Sequence, residues 1–60
     1  MPTSAGAEKL RRLDLQISGL VYARTIRERE GASGEELRRY SEEIARQRRL
    51  RAECVARVAA

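Results

Sequence analysis

The sequence has 60 residues, with 13 Lys and Arg against nine Asp and Glu, and therefore a net charge of +4. It contains no His and a single Cys, which excludes a zinc site or a nucleophile–His pair built from one chain. No glycine-rich phosphate loop and no long apolar segment is present. We therefore expect a non-enzymatic protein without metal, cofactor or membrane contact, and the lone Cys favours a cytoplasmic location.

The first segment, residues 1–6, is small and polar and includes Pro2 and Gly6. It is typical of a disordered N-terminal lead. From Ala7 onward, apolar residues recur at steps of three and four, the spacing that places them on one side of a helix. This pattern predicts a first helix over about residues 7–30.

A short break follows at residues 31–34, with the sequence Gly-Ala-Ser-Gly. Gly31 suits the position after a helix end, where a left-handed backbone conformation is favourable for glycine. Ser33 and Glu36 have the spacing of a capping box, which marks the start of a helix. A second helix is predicted over about residues 34–58, and the helical hairpin as a whole spans residues 7–60.

A connection this short makes neighbouring helices antiparallel, so we predict an all-α, two-helix hairpin. Residues that face each other across the two helices should then have numbers that add up to about 65. Cys54 lies on the apolar side of the second helix and should be buried. The predicted hairpin core consists of Leu10, Leu13, Ile17, Leu20, Val21, Leu37, Tyr40, Ile44, Val55 and Val58.

The first helix has apolar residues on a second side as well. Leu15, Tyr22 and Ile26 lie nearly opposite the core stripe at about 100° per residue. They are either ordinary exposed hydrophobic residues or a second interface. With only twelve Leu, Ile and Val residues, one chain has little apolar surface to bury. We therefore expect a homodimer or homo-oligomer, assembled as a four-helix bundle or coiled coil.

The second helix carries a basic segment, Arg46-Gln47-Arg48-Arg49-Leu50-Arg51. Such a segment could neutralise nucleic-acid phosphates, or it could form a solvated face paired with neighbouring glutamates. Arg48 and Arg51 lie toward the apolar side. They could extend to its edge, pair with Asp14, or hold an anion between the helices. The possible anion or nucleic-acid contacts are Arg46, Arg48, Arg49 and Arg51.

Together these features predict a small interaction or regulatory protein that self-associates and presents helical faces to a protein partner. An alternative is an RNA- or DNA-binding bundle that uses the Arg46–Arg51 surface. A third possibility is an accessory subunit or sensor that binds an anionic ligand between its helices.

Overall fold

The computed structural model describes the backbone of residues 2–59 and the side chains of residues 6–58. Two helices, α1 (Pro2–Arg29) and α2 (Gly34–Ala59), pack against each other over an elongated body of 46 × 14 × 10 Å. No strand occurs in residues 2–59. The predicted all-α helical hairpin is confirmed. Over the described residues, neither helix has the length and apolar character needed to cross a membrane.

Helix α1 begins at Pro2, several residues before the expected start near Ala7. Proline is well suited to the first turn of a helix, where its missing N–H has no intrahelical acceptor. Helix α2 is in close contact with the next turn of α1, because a Cβ built on Gly6 would lie 2.7 Å from Val58 Cγ2. The predicted disordered lead over residues 1–6 is therefore helical from Pro2, and Met1 lies outside the described residues.

The connection between the helices is a Schellman motif closed by Gly31. Gly31 has φ of 88°. Its N–H donates to Glu28 O at 3.1 Å, and Ala32 N–H donates to Arg27 O at 2.9 Å. These bonds satisfy carbonyls at the end of α1 that have no intrahelical partner. The predicted role of Gly31 is confirmed.

Ser33 caps the start of α2, as the sequence predicts. Glu36 N–H donates to Ser33 Oγ at 3.1 Å, and Leu37 N–H donates to Ser33 O at the same distance. The Glu36 side chain does not complete a capping box, because it accepts two hydrogen bonds from Arg27 instead. Half of the predicted box is thus formed.

The two helices meet along a seam in which residues alternate at steps of three and four, the heptad spacing of antiparallel coiled coils. Leu13, Ile44 and Cys54 are its buried members, each 7% exposed. Helix α1 contributes Gly6, Leu10, Leu13, Ile17, Leu20, Arg24 and Arg27. Helix α2 contributes Leu37, Tyr40, Ile44, Gln47, Arg51, Cys54 and Val58.

Three residues of the predicted core do not lie in the interior. Val21, Val55 and Val58 are 41%, 38% and 44% exposed. Val21 and Val55 are each one position beyond a seam residue, which turns them about 100° away from the seam. Val58 belongs to the last turns of α2, where the hairpin ends. The remaining predicted core residues are buried or half-buried: Leu10, Leu13, Ile17, Leu20, Leu37, Tyr40 and Ile44.

Cross-helix contacts confirm the expected antiparallel register. The Arg51 Nε–H donates to Asp14 Oδ1, and the Arg24 Nε–H donates to Ser41 Oγ at 2.9 Å. In both pairs the residue numbers add up to 65. Arg51 thus adopts one of its predicted alternatives, pairing with Asp14 across the seam.

Candidate interaction surfaces

The side of α1 that faces away from α2 carries large exposed apolar side chains. Leu15 is 68% exposed and Tyr22 is 69% exposed. They are seven residues apart, so they lie on the same side of the helix about two turns from each other. Residues 15–23 contain no charged side chain. The middle of this helix is therefore uncharged on its solvent side as well as in the seam.

Small side chains lie between Leu15 and Tyr22. Ser18 and Gly19 are exposed, and a Cβ built on Gly19 would meet no atom within 4 Å. The Thr25 hydroxyl is occupied locally, because it donates to Val21 O at 3.0 Å. We refer to this surface as the outer face of α1. It consists of Leu15, Ser18, Gly19, Tyr22, Thr25 and Ile26.

Ile26 holds a different position from the other two residues of the predicted second interface. It is half-buried, whereas Leu15 and Tyr22 are exposed. Ile26 is therefore less accessible to a partner than Leu15 and Tyr22, although it lies on the same side of α1. The structure thus places the three predicted residues on one side of α1, and two of them are largely exposed to solvent.

The side of α2 that faces away from α1 is charged. Arg39 donates to Glu35 at 3.1 Å, and Arg46 donates to Glu43 at 2.8 and 3.1 Å. The hydrogen bond from Arg46 lowers the pKa of Glu43 and raises the pKa of Arg46. Such exposed pairs contribute little stability. They do make this side of α2 a strongly hydrated surface, unlike the outer face of α1.

Some arginines of the basic segment of α2 form ion pairs with carboxylates, and others do not. Arg46 is bound to Glu43 and Arg51 to Asp14. Arg48 and Arg49 are exposed and have no ion-pair partner among the side chains that the structure describes. Of the four predicted contacts for an anion or nucleic acid, Arg48 and Arg49 therefore have free guanidinium groups.

Arg48 and Arg49 line an open groove between the helices, with a volume of about 550 Å³, and Arg24 lines it from α1. The Arg24 Nε–H donates to Ser41 Oγ at 2.9 Å and to Leu37 O at 3.3 Å, which fixes the side chain across the groove. We call this the basic groove. Arg24 occupies a seam position in the heptad spacing of α1. This spacing, together with its long charged side chain, is the sequence feature that indicates its place in the basic groove.

A second cross-helix ion pair lies next to the connection. Arg27 donates to Glu36 at 2.6 and 3.3 Å and to Glu30 at 2.7 Å. The hydrogen bond from Arg27 lowers the pKa of Glu36, and the bond to Glu36 is the largest cause of the raised pKa of Arg27. These contacts tie the last turn of α1 to the first turn of α2, so their role is structural.

Comparison with known protein families, with characterised proteins and with solved structures gives no match to this chain. The hairpin offers two surfaces for a function, the outer face of α1 and the basic groove.

Proposed function

We propose that the protein is a non-enzymatic interaction module that self-associates through the outer face of α1 and presents its remaining helical faces to a protein partner. The observation that carries this proposal is the exposure of Leu15 and Tyr22 on an uncharged stretch of helix. Contiguous exposed apolar surface on a small protein is typical of an interaction site.

The thin core of the hairpin supports the same proposal. Only Leu13, Ile44 and Cys54 are buried hydrophobic residues in the described part of the chain. Covering one large apolar side chain contributes about 1.5–3 kcal/mol. A second copy would cover Leu15 and Tyr22 on both chains, so four large side chains would leave water. Joined in this way, two hairpins form an assembly of four helices with the two α1 helices at its centre and the α2 helices outside them.

The test is to place a charge on the outer face and measure the mass in solution. We expect Leu15→Asp and Tyr22→Asp each to reduce the mass from that of an oligomer to that of one chain, because a buried unpaired carboxylate is costly. Helical content by circular dichroism should persist, since both side chains lie outside the seam.

Ala56→Asp is the matched control, because Ala56 is an exposed residue of α2 away from the outer face of α1. It should keep the wild-type mass. If Leu15→Asp and Tyr22→Asp also keep that mass, self-association through this face is wrong.

The basic groove supports a second candidate function, binding of RNA or DNA. Arg48 and Arg49 have free guanidinium groups, and Arg24 lies across the groove from them. Each phosphate neutralised by an arginine contributes about −0.7 to −0.9 to the slope of log K against log salt. Three contacts therefore predict a slope of about −2 to −3.

Fluorescence anisotropy with a labelled RNA and a labelled DNA duplex tests this candidate. Arg48→Glu with Arg49→Glu should abolish binding at low salt, whereas Arg38→Glu, an exposed arginine outside the groove, should reduce it only slightly. Absence of binding by the wild-type protein at low salt would exclude this function.

A further inference from the structure

Four exposed residues form a straight line along α1 on the side opposite the seam. They are Glu8, Leu15, Tyr22 and Arg29, and successive members are seven residues apart. The line is symmetric about the point between Ser18 and Gly19. Reversing the direction of the helix about that point exchanges Glu8 with Arg29 and Leu15 with Tyr22.

We propose that two copies of the protein associate through antiparallel α1 helices, about a two-fold axis that passes between Ser18 and Gly19. This inference rests on the proposed self-association and specifies its geometry. Leu15 of each copy packs against Tyr22 of the other, and Glu8 of each copy pairs with Arg29 of the other. The interface is isologous, as in most homodimers.

The centre of the line fits close contact between two helices. Helices pack at axis separations of about 8–10 Å, with the shorter distances where side chains at the contact are small. Gly19 has no side chain, Ser18 has a small one, and the space beside Gly19 is open. Leu15 and Tyr22 lie on either side of this point, about 10 Å apart along the helix. Each can therefore cover the other across the axis.

The charged residues at the two ends of the line determine whether the two α1 helices run parallel or antiparallel. Glu8 and Arg29 have no ion-pair partner among the described side chains, whereas the other acidic residues of α1, Asp14 and Glu28, lie near Arg51 and Arg24. An antiparallel arrangement places Glu8 opposite Arg29 at both ends. A parallel arrangement would place Glu8 opposite Glu8 and Arg29 opposite Arg29, which is unfavourable.

The arginines next to the line also favour the antiparallel arrangement of the two α1 helices. Arg11 and Arg12 flank the line near the start of the helix. In the antiparallel arrangement they lie near Thr25 and Ile26 of the second copy, which are uncharged. In the parallel arrangement the four arginines of the two copies would meet one another. Electrostatic complementarity of this kind selects partner and orientation more than it adds affinity.

A charge exchange tests the geometry. Glu8→Arg alone and Arg29→Glu alone each place like charges opposite one another twice per dimer. We expect each to raise the dimer dissociation constant roughly tenfold, measured by sedimentation equilibrium at low salt. The double variant, Glu8→Arg with Arg29→Glu, should return to the wild-type dissociation constant, because the pairs are restored with exchanged partners.

The controls make the same charge changes on the outer side of α2, with Glu42→Arg and Arg38→Glu. They should leave the dissociation constant within about twofold of the wild-type value, which separates local pairing from net charge. Circular dichroism of every variant confirms that the hairpin is folded.

The possible outcomes separate the geometry from the proposed function. A dimer in which the double variant remains as weak as the single variants, or in which neither single variant has an effect, overturns the antiparallel arrangement and leaves self-association standing. A wild-type protein that remains a monomer overturns both.

Discussion

Gln47 carries a buried side-chain acceptor without a hydrogen-bond partner among the described residues. It occupies a seam position, its Nε2 donates to Glu43 at 2.9 Å, and its Oε1 is buried without a hydrogen-bond partner. Leaving a buried acceptor unsatisfied costs about 1–3 kcal/mol. A polar residue at a seam position can also fix the register of a coiled coil at the expense of stability.

We therefore predict that Gln47→Leu raises the free energy of unfolding by about 1–2 kcal/mol. Urea denaturation followed by circular dichroism, at one protein concentration, measures the change. Gln16→Leu is the control, because Gln16 is exposed on α1, and it should change stability by less than about 0.5 kcal/mol. Destabilisation by Gln47→Leu would contradict this interpretation of the seam.

At the scale of the elements, sequence reasoning found the helix break and missed the start of α1. Gly31 and Ser33 act through their own backbone geometry and short side chains, so the local sequence was sufficient to predict them. Near the start of α1, Gly6 lies close to Val58, and these residues are 52 positions apart in the sequence. Composition near the N-terminus carries no information about such a contact.

The partners of long side chains were also hard to predict. Glu36 could accept from the backbone at the start of α2 or from Arg27, and the structure selects Arg27. Arg46 could pair with Glu42 or Glu43, and the structure selects Glu43. These alternatives differ by small energies, so the sequence alone does not decide between them.

The ion pairs of Glu36 and Glu43 make stability depend on pH. Hydrogen bonds from Arg27 and Arg46 lower the pKa of these carboxyls below the ordinary value of 4.5. A carboxyl with a lower pKa in the folded state contributes stability above its unfolded pKa. That contribution is lost as the pH falls through the folded value.

We predict a lower midpoint of thermal unfolding at pH 3 than at pH 7, measured by circular dichroism. The double variant Glu36→Gln with Glu43→Gln should show a smaller difference between the two pH values. Glu42→Gln, which changes an exposed glutamate without an ion pair in the described chain, should keep the wild-type difference. An unchanged difference in the double variant would show that these pairs do not stabilise the fold.

At the scale of the whole molecule, the two helices have unequal outer sides. The outer side of α2 is charged, whereas the outer face of α1 is uncharged and exposes Leu15 and Tyr22. Helical periodicity alone was enough to locate this face. It could not show which arginines of the basic segment remain free, because Asp14 reaches Arg51 only in the folded hairpin.

We propose that a second copy of the chain covers the outer face of α1. Sedimentation equilibrium of the wild-type protein over a range of micromolar concentrations, with thermal unfolding measured on the same samples, tests it most directly. We predict a mass of two chains and a midpoint of unfolding that rises with concentration, because association stabilises the folded state. A single-chain mass with a cooperative unfolding midpoint that does not depend on concentration would contradict the claim.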